Sequence, residues 1–296
     1  MTTVKGVNRR MLEQITPLIL TYNEAPNIGR TLEQLRWARD IVVVDSFSAD
    51  ETLNIIAEFT QARVFQRKFD CHENQWNFGL QETGIKADWV LALDADYLLT
   101  PELIEELKTL RPEPHIKGYR ARFIYCINGK PLRGSAYPPV TVLYRRANAR
   151  YVQDGHTQRI EVEGEIKDLQ SPILHDDRKP LAQWIQSQSR YMRLEAEKLC
   201  QADIRQLGWA DRLRQARLFA PFVMFFYCLF VKGVILNGRV GIYYALQRTF
   251  AEFMLSLYLI EHDLKLVDKK SVSDPQEKTL EIESPQMPEA QQQGSQ

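Results

Sequence analysis

Trp89-Val-Leu-Ala-Leu-Asp94-Ala-Asp96 is the stretch on which the fold turns. It is too short for an independent helix, and its apolar residues form an unbroken run rather than an alternation. Such a run reads as a strand buried on both faces, the condition of a parallel sheet covered by helices. The strand ends in two carboxylates. Asp94 and Asp96 stand two apart, so in extended chain they project the same way. Beside a diphosphate, such a pair would hold Mg²⁺ or Mn²⁺, which take oxygen ligands and share coordination with phosphates. An Asp-x-Asp after a strand also serves as a turn or helix cap, and spacing alone leaves both roles open.

Outward from this stretch the pattern repeats. Ile15-Thr-Pro-Leu-Ile-Leu-Thr21 and Ile41-Val-Val-Val-Asp45 read as buried strands, ending in Leu20-Thr-Tyr-Asn-Glu24 and Val44-Asp45-Ser-Phe-Ser-Ala-Asp50. Between them Ile28, Leu32, Leu35 and Ala38 fall near helical spacing. Ser48-Ala-Asp-Glu51 has a capping-box pattern that opens a helix through Leu53, Ile56 and Ala57. Val64-Phe65 is a short strand, Asn74 to Thr83 a helix, and Pro101 stands at the start of another, where proline is tolerated. This alternation predicts an α/β fold with a mostly parallel mixed sheet flanked by helices. Ligands of such sheets bind beyond the carboxyl ends of the strands. Those ends carry Glu24, Asp45, Asp94 and Asp96. Taken singly, Glu24 and Asp45 read equally well as a helix-cap neighbour and a solvated strand end.

From Gly118 to Gly164 strands and loops dominate, with 119–127 and 140–146 β-rich and Gln158 to Glu163 alternating. Residues 180–202 read as a helix and 205–262 as a strongly apolar helical region. Ser271 to Gln296 holds three Pro, six Gln and almost no large apolar residue, too little to offset the entropy of ordering. The expected division is an N-terminal arm over 1–13, a catalytic domain over 14–202, a helical region over 203–268 and a disordered tail over 269–296.

Composition narrows the function classes. The 296 residues carry 38 Lys+Arg against 38 Asp+Glu, so a general basic excess for nucleic acid is absent. Apolar residues at 44% and charged at 26% argue against a disordered, collagen-like or polytopic membrane chain. Cys71, Cys126, Cys200 and Cys228 form no CxxC pair, and no secretory leader is visible, which suits a reducing cytoplasm. The neutral total conceals local excess. Arg205 to Ala251 holds seven basic residues and one acid, a net of +6. Within it, Leu218 to Val231 runs fourteen residues without a charge, short of the ~20 that span a bilayer. Interrupted apolar helices with basic flanks suit a membrane interface; a subdomain packed on the catalytic domain, or a homodimer contact, is the competing reading.

Four motifs in order resemble family 2 of the inverting glycosyltransferases: Leu20-Thr-Tyr-Asn-Glu24, Val42-Val-Val-Asp45-Ser-x-Ser-x-Asp50-x-Thr52, Gln75-x-Asn77-x-Gly-Leu80 and Trp89 to Asp96. The resemblance is closest to the branch of lipopolysaccharide-core glucosyltransferases and covers about 14–262. It implies a nucleotide-sugar-binding GT-A fold. Thr21, Tyr22 and Glu24 would contact the nucleoside, and Asp45 the uracil or ribose, with Asp50 supporting that loop or capping a helix. Gln75 and Asn77 would face the ribose and phosphates, Asp94 the ribose or metal, and Asp96 would ligate Mn²⁺ or Mg²⁺. Tyr97 departs from the third acid that relatives often carry.

The implied mechanism is a single displacement, in which an acceptor hydroxyl attacks the anomeric carbon and a carboxylate takes its proton. Relatives often read Val-His-Glu where this chain reads Asp154-Gly-His156-Thr157. Thr157 is no general base, so Asp154 is the nominee, with Glu161 and Glu163 behind it, and His156 would orient the acceptor or bind phosphate. His175 would meet diphosphate or metal. Arg67 and Lys68 are candidates for the diphosphate, and Arg190 and Tyr191 for phosphate or acceptor; a solvated surface is the alternative for each pair. The implied reaction moves a hexose from a nucleotide sugar, UDP-linked, to a lipid-linked saccharide on the cytoplasmic membrane face in envelope synthesis. Two other readings stand beside it. A sugar nucleotidyltransferase would need a Gly-rich loop where this chain has Thr21 to Ala25, and a non-catalytic scaffold would explain the missing Glu beside His156.

Overall fold

The computed structural model describes residues 11–264 apart from 155, 156, 204 and 206; the side chains of 153, 154 and 157 also lie outside the described set. The elements follow as β1 (Ile15–Thr21), α1 (Ile28–Glu33), β2 (Ile41–Asp45), α2 (Thr52–Ala57), β3 (Ala62–Gln66), α3 (His72–Gln81) and β4 (Trp89–Asp94). Next come β5 (Tyr97–Leu99), α4 (Pro101–Thr109), β6 (Ile116–Ala121), β7 (Phe123–Ile127), β8 (Lys130–Pro131) and β9 (Val140–Arg145). The rest are β10 (Ala149–Asp154), β11 (Thr157–Val162), β12 (Glu165–Asp168), β13 (Ile173–His175), α5 (Leu181–Gln201), α6 (Trp209–Gln215), α7 (Ala220–Phe226) and α8 (Arg239–Asp263).

The main sheet has the order β12-β6-β9-β4-β1-β2-β3. β4, β1, β2 and β3 run parallel, while β9 lies antiparallel to both β4 and β6. The mixed, helix-flanked α/β architecture agrees with expectation. Every residue of β2 is buried, and Leu18, Ile19, Val42, Val43, Val90 and Leu91 have no exposure, as strands covered on both faces require. Pro17 cannot donate a ladder bond; it sits one residue before the pairing with β2 begins at Leu18. Two cores result, one beneath α1, α2 and α4, the other beneath α3 and the β10–β11 hairpin. Met11 is 2% exposed inside the first, so packing starts ahead of the expected boundary at residue 14.

Of two local expectations, one changes and one holds. The Ser48 capping box does not form: α2 begins at Thr52 without a side-chain cap, because the Ser48 hydroxyl is bonded to Asp45 instead. α4 is capped as its sequence suggests, with Thr100 Oγ1 accepting from Leu103 N–H at 3.2 Å and Pro101 following.

A second sheet, β5-β13-β7-β8, crosses the carboxyl edge of the first. Its β7–β8 hairpin turns at Asn128-Gly129, both at positive φ (49° and 76°), the backbone that an Asn-Gly pair favours. The C-terminal helices pack on this sheet: Leu132 shares a buried cluster with Cys228, Leu229, Val234, Tyr244 and Ala245. The helical region is therefore docked on the catalytic domain along one face. No helix among the described residues is long and apolar enough to cross a membrane.

Candidate active site

Strand register gathers the motif residues. Thr21 is paired with Asp45 across β1–β2, and Leu20 with Asp94 across β1–β4, so three neighbouring strands end at one edge. Asp45 has no exposure. Its carboxylate accepts from Thr21 Oγ1 at 3.0 Å, Ser48 Oγ at 2.5 Å, Ser48 N–H at 2.9 Å and Gln66 Nε2 at 3.3 Å. Five further bonds lace the loop after β1 to the loop after β2. Ser46 N–H donates to Thr21 O, Asn23 N–H to Ser48 Oγ, Ala49 N–H to Asn23 Oδ1, Glu24 N–H to Thr52 Oγ1 and Ala25 N–H to Asp50 Oδ2. Asp50 thus supports the loop, and also takes the Thr52 N–H at 3.0 Å. The lacing holds Asn23 and Phe47 in left-handed backbone (φ 53° and 60°), a costly state for Phe. It leaves the Phe47 and Tyr22 rings 54% and 39% exposed at this edge. Phe47 occupied an unspecified motif position, so the sequence carried no signal for it.

Gln75 is fully buried behind the loop. Its Oε1 accepts from Arg67 at 2.7 Å, and its Nε2 donates to Ser46 Oγ and Arg67 O. Arg67 is itself paired with Asp70. Asn77 lies elsewhere: both ends of its amide are taken by the Tyr151 backbone at 2.9 Å, pinning the β10–β11 hairpin to α3. Trp76 stacks on the Tyr151 ring at 5.1 Å. Asp154 closes β10 opposite Thr157, and His156 lies outside the described residues.

The second half of the site is a charged cluster. Asp96 Oδ2 is 3.1 Å from His175 Nε2. Glu24 is ion-paired with Lys179 and accepts from Asn27 Nδ2 at 2.9 Å. Burial lifts the Glu24 carboxyl to about 7 against the pull of Lys179, with the Asp96 charge adding to the rise. Burial and Asp96 likewise raise Asp94 to about 6. Asp96 goes the other way: burial would raise it, but His175 and Lys179 outweigh burial and hold it below its ordinary value. Burial alone would lower His175; Asp96 overrides that and raises it.

Sequence reasoning missed the framework beneath. Asn27, fully buried, donates to both Glu24 and Asp177 at 2.9 Å and accepts from Arg30 and from Arg178 N–H. Asp176 accepts from Arg30 at 2.8 Å, Arg178 at 2.8 Å and Gly129 N–H at 2.9 Å. It thereby ties β13 to α1 and to the Asn-Gly turn. That turn pair was the one legible clue. Around His175 stand three tyrosines, with ring centroids at 5.3 Å for Tyr97, 4.7 Å for Tyr125 and 4.8 Å for Tyr137. Tyr97 and Tyr125 reach it because they are its register partners on β5 and β7.

Asp96 Oδ1 and His175 Nδ1 are buried and lack a hydrogen-bond partner. Each side chain thus keeps one orphaned polar atom, a carboxylate oxygen and an imidazole nitrogen, donor types that a divalent cation takes. Among the described residues no three His, Cys, Asp or Glu side chains converge on a metal position. The remaining ligands would be phosphate oxygens and water, which suits Mg²⁺ or Mn²⁺. A cavity of about 900 Å³ opens at the opposite, amino edge, between Thr16, Asp40, Arg63, Lys86 and Arg145. It includes none of these strand-end residues.

Residues 18–149 match the family described as glycosyl transferase family 2. An uncharacterized glycosyltransferase of Rickettsia conorii is 24% identical over 275 residues, covering 88% of this chain and 94% of that protein. The lipopolysaccharide core biosynthesis glycosyltransferase LpsC of Rhizobium meliloti is 26% identical over 269 residues, covering 85% and 94%. Among solved structures, S. aureus TarS 1-349 in complex with UDP-GlcNAc covers 85% of this chain and 92% of its own at 15% identity, with a TM-score of 0.44, a likeness too loose to bear on function. The chain is thus a glycosyltransferase, its family 2 domain spanning residues 18–149.

Proposed function

We propose that this glycosyltransferase is inverting and metal-dependent, moving a hexose from a UDP-sugar to a lipid-linked saccharide at the cytoplasmic face of the membrane. The observation that carries the reading is the Asp96–His175 pair, with one buried unpartnered atom on each side chain. The likeness to a lipopolysaccharide-core enzyme supports an envelope acceptor.

The laced loops would receive the nucleoside, with Asp45 and Thr21 beneath it and the exposed Tyr22 and Phe47 rings beside the base. Gln75 acts through Ser46 and Arg67, and Asn77 through the hairpin. Asp96 and His175 would hold Mg²⁺ or Mn²⁺, and Asp94 the ribose or cation; such a cation neutralises charge on the departing diphosphate. Lys179, held by Glu24 inside the cluster, adds a fixed positive charge nearby. Asp154, at the end of β10, is the nominated base that takes the acceptor proton, and His156 its neighbour toward the acceptor. The exposed apolar surface of 205–262 would rest on the membrane.

Hydrolysis of UDP-hexose with Mn²⁺ tests this. Asp96→Asn is expected to lower turnover by two to four orders of magnitude, roughly the loss of 3–5 kcal/mol in the transition state. Asp154→Asn should keep UDP binding and lose transfer. Full turnover in Asp96→Asn would remove the metal assignment.

A further inference from the structure

Across the carboxyl edge the functional groups form a row. Asp45 and Thr21 stand at one end, Asp94 follows on β4, then Tyr97, His175 and Tyr125 on β5, β13 and β7. The row does not stop at the catalytic domain. The Tyr125 ring packs on Tyr244 of α8 at 5.0 Å, and Tyr244, 2% exposed, accepts from Ala136 N–H through its hydroxyl at 2.9 Å. One helical turn on, on the same face of α8, stands Arg248. Its Nε is buried and has no hydrogen-bond partner. Glu252, the acid a further turn along, gives both oxygens to Arg214 at 2.7–3.2 Å. A buried guanidinium N–H left unpaired costs about 1–3 kcal/mol, a cost that a bound anion removes.

We propose that Arg248, with Tyr125 and Tyr244, forms a subsite for an anionic oxygen group, phosphate or carboxylate, on the saccharide acceptor. The proposal rests on the transferase reading above. The acceptor is favoured over the donor because the nucleoside loops lie at the far end of the row, with His175 and Tyr125 between. The Tyr125 ring marks the boundary, with its centroid 4.7 Å from that of His175 on one side and 5.0 Å from that of Tyr244 on the other. A planar fork of donors at this place would orient the acceptor by two parallel bonds.

The test uses the full-length protein, calorimetry, and inorganic phosphate as the probe, with UDP and Mn²⁺ saturating so that the donor site is filled. Phosphate should still bind. Arg248→Gln should weaken it at least about tenfold, the value of one charged hydrogen bond, and Arg248→Lys should recover part of it. UDP affinity and binding to phosphatidylglycerol vesicles should match the parent protein in both variants. Three results would overturn the proposal: no phosphate binding once UDP is present, equal binding by Arg248→Gln, or a parallel loss of UDP or vesicle affinity. The last would assign the residue to the donor or to lipid headgroups. Failure of the parent protein to bind UDP would instead count against the transferase reading.

Discussion

Asp176 is the residue on which the site's framework most depends. With its side chain 3% exposed, it accepts from two arginines and from the Gly129 N–H, and it adjoins His175 without facing the cleft chemistry. Burial would raise its pKa, but Arg178, the Gly129 N–H and Arg30 together hold it below its ordinary value of 3.8. A carboxyl depressed in the folded state contributes stability above its unfolded pKa and loses it as pH falls through the folded value. Asp176→Asn is therefore expected to cost about 2–3 kcal/mol in urea unfolding at pH 7, its guanidinium partners being a third exposed. The gap should close below the folded pKa, and an equal gap at pH 2 and pH 7 would contradict this account. Asp176 was not legible beforehand, since an Asp-Asp pair after a strand has no distinguishing pattern until Arg30 and Gly129 arrive from remote segments.

At the scale of elements, the start of α8 is set by close approach. A Cβ on Gly241 would lie 1.7 Å from the Val234 carbonyl oxygen, so the short turn at Val234–Asn237 seats on the helix only because that position is bare. Gly241→Ala should cost about 2–3 kcal/mol despite alanine's better helix propensity, read as a lowered thermal midpoint. A neutral or stabilising outcome would mean the turn moves freely. The hairpin β10–β11 shows the same dependence on a partner: it is held by Asn77 and Trp76 on α3. The Gln75-x-Asn77 spacing was visible in sequence. That one amide acts inside the loop framework and the other behind the hairpin followed from helix rotation, which spacing does not reveal.

For the whole molecule, the C-terminal helices present two apolar faces. One packs on β7–β8. The other leaves Leu218, Phe222, Phe230, Val231, Leu236 and Leu257 between 57% and 71% exposed. A helix apolar all round requires cover on every side, and the +6 charge of 205–251 favours an anionic surface. Because one face completes the catalytic domain, deleting the region would expose core; point changes are the cleaner probe. Replacing Phe230 and Val231 together by Ser should reduce sedimentation with phosphatidylglycerol vesicles at least about tenfold, given about 1.5–3 kcal/mol per buried large side chain, with UDP binding retained. Unchanged sedimentation, with a concentration-dependent mass, would place a second copy of the chain on this face.

Periodicity and strand-end chemistry determined the alternating sheet, its carboxyl edge and the carboxylates Asp45, Asp94 and Asp96 that gather there, because these depend on neighbours in sequence. Tertiary structure alone decided which of those groups are already satisfied. Asp45 is saturated by its own loops, while Asp96 and His175 each keep one unpartnered atom. It also decided that the apolar C-terminal run is half core and half surface. The reason is the same in each case: hydrogen bonds and burial are settled by segments far apart in the chain, and no local pattern encodes which of two equivalent faces a distant partner will cover.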